Sequence, residues 1–224
     1  MATMKNKVLF ALPQHFQQQQ RNLEYLFNQR MNAQHDFAWG FTSLSINTEL
    51  LAQGKLMLDN VAGCMPDGTV FSIPEQDQLP APYQPLDLSR PGSHDIYLAL
   101  PVISDITCEI EGHRSAGQGT ERYRQARADV RDLHSDDGEV QQIVLGQLAP
   151  KIVSGADDLS AMVMLPLCRI RSQQANGALV LDDSFIPTCQ AIRVSPVLYG
   201  FASDVQGLIS NRASELAKRI GSPE

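Results

Sequence analysis

The sequence predicts a soluble, mainly β domain with a helix at each end. Three observations predict it. Apolar residues recur at helical spacing from Pro13 to Met31 and again from Ser195 to Ile220. Between them, from Phe37 to Val194, short runs rich in Val, Ile, Leu and Phe are divided by Gly, Pro, Asn and Asp at the intervals of an all-β domain.

In the first helix, Phe16, Leu23, Leu26, Phe27 and Met31 recur along one side and Gln17 to Gln20 leave the other side polar. Pro13 suits a first turn, where its missing amide hydrogen costs nothing. Strands are predicted near 38–46, 55–64, 69–73, 95–102, 106–111, 122–133, 139–153, 160–171, 178–182 and 188–194. Pro66-Asp67-Gly68 and Asn176-Gly177 supply residues free to take positive φ, so each is expected to join neighbouring antiparallel strands. Between Pro74 and Gly92 the chain carries Pro74, Pro80, Pro82, Pro85 and Pro91. Proline lacks a ladder donor, so this stretch reads as a long surface loop, either a binding element or a plain crossover. The last helix has Ser195 at its N-cap, Pro196 in its first turn and Gly221 and Pro223 beyond its end. Leu198, Phe201, Val205, Leu208, Ile209, Ala213, Leu216 and Ile220 form its apolar stripe, which must pack on the β domain or on another copy of the helix.

Composition bounds the function. The 224 residues are 43% hydrophobic and 19% charged, enough to build a sizeable core. The net charge is -7, and Arg122, Arg124, Arg127 and Arg131 are interleaved with Glu121, Asp129 and Asp132, which argues against binding a phosphate backbone. The apolar run Val8 to Leu12 is too short for a secretion signal, and no stretch approaches the roughly 20 apolar residues of a membrane span. A cytoplasmic protein with no direct membrane insertion is expected. Cys64, Cys108, Cys168 and Cys189 are too irregularly spaced for a zinc or redox pair, so they read as free thiols.

No catalytic, metal or cofactor site emerges. Gly117-Gln118-Gly119 lacks the third glycine of a dinucleotide fingerprint. Ser93-His94-Asp95 has the residue types of a hydrolase triad, but adjacent residues on an extended chain point in alternating directions and relay no proton. His15, His35, His94, His113 and His134 are scattered, without metal-binding spacing. Asp182-Asp183, after the apolar run Ala178 to Leu181, reads as a turn former that caps nearby amides.

Several segments in order resemble the TssK family of bacterial type VI secretion baseplate subunits. They are Leu12-Pro13-Gln14-His15-Phe16-Gln17-Gln18-Gln19, Trp39-Gly40-Phe41, Pro66-Asp67-Gly68-Thr69, Tyr97-Leu98-Ala99-Leu100-Pro101, Leu165-Pro166-Leu167-Cys168-Arg169-Ile170 and Leu181-Asp182-Asp183-Ser184-Phe185-Ile186-Pro187. The glutamine motif and the Leu-Asp-Asp-Ser-Phe-Ile-Pro block are the specific parts, and the likeness runs from about residue 7 to the end. One departure stands before the proline: Val8-Leu9-Phe10-Ala11 takes the place of the family's Trp-x-Glu-Gly segment.

The resemblance implies an antiparallel β-sandwich shoulder like that of phage receptor-binding proteins over residues 1–194, with its N-terminal helix, and the start of a helical neck over 195–224. It implies a non-enzymatic homotrimer without cofactors, at the cytoplasmic side of the inner membrane. The shoulder would dock on the TssF and TssG wedge, with Pro13, Gln14, His15, Phe16 and Gln17 contributing, together with the proline-rich loop. Leu198, Phe201, Val205, Leu208, Ile209, Leu216 and Ile220 would pack the neck. Family chains continue past this C-terminus, so a fragment or truncated product is expected, and the missing part would meet the membrane complex. The rival reading is a β-sandwich ligand-binding module for carbohydrate or a receptor, which would display exposed aromatic platforms.

Overall fold

The computed structural model describes residues 12–103, 121–132, 134 and 138–221. The chain divides into two compact units at Ala38 and Trp39. The first is carried by helix α1, Pro13–Gln34, which buries none of its side chains. Its first turn closes locally: the Leu12 amide donates to Nδ1 of His15 at 3.0 Å, and the His15 amide, which a side-chain cap would otherwise take, donates to the Leu12 carbonyl at 2.9 Å.

The second unit runs through β1 (Gly40–Ile46), α2 (Thr48–Ala52), β2 (Leu58–Cys64), β3 (Val70–Ile73), β4 (Asp95–Pro101), β5 (Tyr123–Arg131), β6 (Val140–Leu148), β7 (Lys151–Ser154), β8 (Met162–Gln173), β9 (Leu179–Leu181) and α3 (Pro196–Ile220). Its described strands form three antiparallel sheets, ordered β1-β2-β3, β7-β4-β8-β9 and β5-β6. The first two share one core. Phe41, Leu58, Val61, Phe71 and Ile73 come from one sheet and Ile96, Leu98, Leu100, Leu165, Leu167 and Ile170 from the other. This is the expected sandwich, in which each sheet turns its alternate apolar residues inward.

Both predicted turns form. Gly68 takes φ 86° between β2 and β3, and Gly177 takes φ 89° between β8 and β9. The crowding at Gly63 has a different cause: a β-carbon there would lie 2.4 Å from the Gly40 carbonyl oxygen. Only glycine at Gly63 lets β1 and β2 meet so closely at their paired ends.

Four expectations change. The run 139–153 is two strands, because Pro150 cannot donate to a ladder; β6 pairs with β5, and β7 crosses to β4. The run 188–194 is not a strand. Cys189 bridges Phe41, but β1 shifts register between Phe41 and Ser43, and the chain closes into a 3-10 turn at Ile192–Val194. Helix α2 was not anticipated; its signal is Asn47, whose side chain caps the Leu50 amide at 2.9 Å. The first helix extends three residues further than the periodicity indicates, to Gln34. The predicted strand 106–111, Cys108 and His113 lie outside the described residues.

The segment from Pro74 to Gly92 is a loop as predicted, anchored midway where Tyr83 and Leu56 exchange two backbone hydrogen bonds of 2.8 Å.

Candidate interaction surfaces

The residue types that suggested chemistry are spent on structure. Ser93 Oγ lies 2.8 Å from the Leu88 carbonyl oxygen and 2.7 Å from that of Arg90. The Nδ1–H of His94 donates to the Ile170 carbonyl at 2.6 Å, and Asp95 accepts from Arg169 Nε at 2.7 Å. The three neighbouring side chains therefore bond to four other residues and not to one another. Asp182 accepts from the amide and hydroxyl of Ser184, which hold its carboxyl below the usual carboxylate range. Arg169 stands 5.4 Å from the centre of the Phe185 ring, so the Leu-Asp-Asp-Ser-Phe-Ile-Pro block is a turn clasped to β8 by a cation–π contact.

Among the described residues, no three His, Cys, Asp or Glu side chains gather in a way that could hold a metal ion. An open depression of about 260 Å³ lies along the β5-β6 hairpin between Val130, Arg131, Glu139 and Ile143. Another, of about 70 Å³, sits beside Tyr83, Arg90 and Asp157. Trp39, the one tryptophan, is partly buried against the core and offers no exposed aromatic platform.

Burial also silences the Cys168 thiol. Cys168, in β8, is 6% exposed and its pKa is pushed up to about 12. Loss of solvation disfavours the thiolate, which is the reactive form. Iodoacetamide at neutral pH is expected to leave Cys168 unmodified in the folded protein and to alkylate it in denaturant. Labelling of the folded chain at the rate of an unfolded one would contradict this burial.

The surfaces left over are apolar. On α1, Phe16 is 63% exposed and Leu23, Leu26, Phe27 and Met31 are exposed along the same side. Pro13, Gln14, His15 and Gln17 are exposed with Phe16 in the first turn and a half. On α3, the Ser195 hydroxyl caps the Leu198 amide at 3.4 Å, and Leu198 is half-buried at the root. Beyond it Phe201, Val205, Leu208, Ile209, Leu216 and Ile220 are all exposed. Sequence periodicity located both stripes. What it missed is the exposed β5-β6 hairpin, whose alternation looked like that of any half-buried strand pair. No helix among the described residues is long and apolar enough to cross a membrane.

Comparison with known proteins gives the family. The family model described as Bacterial Type VI secretion, VC_A0110, EvfL, ImpJ, VasE matches residues 15–224. The type VI secretion system baseplate component TssK1 of Pseudomonas aeruginosa is 33% identical over 212 residues, covering 95% of this chain and 47% of that protein. A crystal structure of TssK superposes with a TM-score of 0.85 at 27% identity, over 100% of this chain and 50% of that one. A chain of the type VI secretion system TssK-TssF-TssG baseplate subcomplex, 22% identical, has the same fold, with a TM-score of 0.82 over 97% of this chain and 71% of that one. The chain thus spans about half the length of the TssK1 and TssK chains it matches first. With the family model matched from residue 15 to residue 224, the chain belongs to the bacterial type VI secretion family of VasE, ImpJ and EvfL.

Proposed function

We propose that this chain is a structural, non-enzymatic part of a type VI secretion baseplate. It presents surfaces for assembly. The observation that carries this reading is the contrast between a sandwich whose core is complete and two long helices whose apolar stripes face solvent. Apolar stripes of this length on a folded protein mark surfaces that another chain covers.

Residues 1–194 are assigned to a shoulder and 195–224 to the start of a helical neck. The shoulder docks on a wedge of TssF and TssG, the proteins found with TssK in the similar solved subcomplex. Pro13, Gln14, His15, Phe16 and Gln17 supply part of the contact, with Phe16 as the anchor. The proline-rich loop from Pro74 to Gly92 is placed at the same task. The membrane complex is assigned to the family's longer C-terminal part, at the cytoplasmic side of the inner membrane.

The neck is assigned to self-association into a homotrimer. Leu198, Ile209 and Ile220 repeat every 11 residues, as do the pairs Ala202 and Ala213, and Val205 and Leu216. Phe201 and Leu208 widen the stripe on one side. An 11-residue repeat gives 3.67 residues per turn, so the helices pack nearly straight or with a slight right-handed coil.

Phe16→Ala is expected to weaken capture of a purified TssF–TssG complex by at least about tenfold, because a buried aromatic anchor is worth about 2 kcal/mol or more. Its thermal unfolding should not move, since Phe16 is 63% exposed. Wild-type capture by this variant would remove α1 from the docking surface.

A further inference from the structure

Beyond its foot, where Tyr123 and Leu148 pack on the core, the β5-β6 hairpin leaves the sandwich. Its strands are nine residues each, and among the described residues they pair only with one another. Two-stranded ribbons are marginal alone in water; a third strand or an apolar cover is what makes them hold. On one face Ala126 pairs with Leu145 and Ala128 with Ile143, with Val130 beside them. Val130, Ile143 and Leu145 are exposed. Strand β6 from Val140 to Leu148 also contains no charge and no proline, and its first seven residues are exposed. An open edge of this kind recruits another strand, and proteins ordinarily guard it with lysine, proline or a bulge. Along Val140–Leu148 the strand itself carries none of these.

The order of residues in β6 says which strand fits. Turned end for end about Val144, the strand matches itself: Ile143 falls opposite Leu145, Gln142 opposite Gly146 and Gln141 opposite Gln147. Charge agrees with this match. Arg127, Asp129 and Arg131 lie on β5, one strand back, and β6 itself carries no charged side chain. The hydrogen-bonding groups agree as well. The Leu148 amide donates to Asp77 and its carbonyl accepts from the Gln78 amide at 3.1 Å, so the backbone of Leu148 points away from β5. By strand alternation Gly146, Val144 and Gln142 point the same way, and these are the residues the end-for-end match sets opposite one another.

We propose that β6 is a self-association edge that pairs antiparallel with β6 of a second copy about a two-fold axis at Val144. The product is a four-stranded sheet, β5-β6-β6-β5. Direct pairs run from Gln142 opposite Gly146 of the second copy to the reverse, and end where Leu148 is already bonded within its own chain. Opposed residues of an antiparallel pair share a face, so Ile143 and Leu145 of both copies join into one apolar surface. A self-complementary strand meeting its twin is the isologous contact of two-fold assemblies. The contact is separate from the neck: copies held through α3 would be joined in pairs by it.

The test uses the full chain. Val144 is 61% exposed, so changing it leaves the fold intact, which circular dichroism checks. Val144→Glu faces Arg127 favourably within its own hairpin but sets like charges opposite one another across the two-fold, and light scattering after size exclusion is expected to show the particle mass fall to half that of the wild type. Val144→Cys is expected to give, under mild oxidation, a disulfide mapped by mass spectrometry to Val144→Cys in both chains, because hydrogen-bonded partners sit about 5.5 Å apart at Cα, within disulfide reach. An unchanged mass for the glutamate variant would overturn the proposal. So would a cysteine at this position that links only to some other residue, which would mean that a different surface covers the edge.

Discussion

Phe41→Ala is expected to lower the unfolding free energy by about 3–5 kcal/mol, the cost of deleting a fully buried aromatic ring and leaving a cavity. Phe41 is 0% exposed, and its ring meets Phe71 edge-on with centres 6.1 Å apart and planes at 81°. Its backbone is committed too: the amide donates to the Thr188 carbonyl and the carbonyl accepts from Gln190, both at 2.9 Å. One residue thus joins β1, β3 and the segment leading to α3. Domains of this kind hold about 5–15 kcal/mol in all, so the loss is a large share of the total. Urea unfolding checks it through a lower midpoint at an unchanged slope. A change under about 1 kcal/mol would mean that the neighbours collapse into the space, contrary to rigid close packing.

Asp67→Ala is expected to cost a similar amount, about 3–5 kcal/mol, for an electrostatic reason. Arg122 is 1% exposed. Its Nη2 donates to Asp67 Oδ2 at 2.7 Å and to Thr69 Oγ1 at 2.5 Å, and its Nη1 donates to the Pro101 carbonyl. Its Nε has no hydrogen-bond partner among the described residues. Removing the carboxylate strands a buried guanidinium whose two remaining acceptors are neutral. Pairing Asp67→Ala with Arg122→Met is expected to recover much of the loss, because an apolar side chain of similar volume needs no countercharge. Urea unfolding of the single and double variants decides the matter. If the double variant is no more stable than Asp67→Ala, the stranded charge is not the cause. The pair ties the β2-β3 turn to the end of β4 and the foot of β5, so the single variant should also loosen the hairpin.

The two cases differ in how far the sequence disclosed them. Pro66-Asp67-Gly68 reads plainly as a turn, but nothing in Arg122 announces a buried cation; it stands first in a run of alternating charges that looks solvated. The same limit explains the error at 139–153. Pro150 was visible as a residue without a ladder donor, yet that β6 and β7 belong to different sheets depends on which distant strand lies alongside. At 188–194 the β-like composition was real, and the register shift of β1 left too little edge to pair with. The two apolar helix stripes were legible because period is a local property. Their exposure was not legible, since a stripe reads identically whether its own domain or another chain covers it.

By itself the sequence determined the alternation of strand and turn, the helix at each end, the lack of any metal or triad spacing, and the family motifs. These are properties of neighbouring residues, set by backbone sterics and side-chain period. Only the tertiary structure decided which sheet each strand joins, that Arg122 lies in the interior, and that the core closes without α1, α3 or the charge-free edge of β6. The reason is physical: burial and pairing arise between residues far apart in the chain, and no local pattern carries the identity of the distant partner.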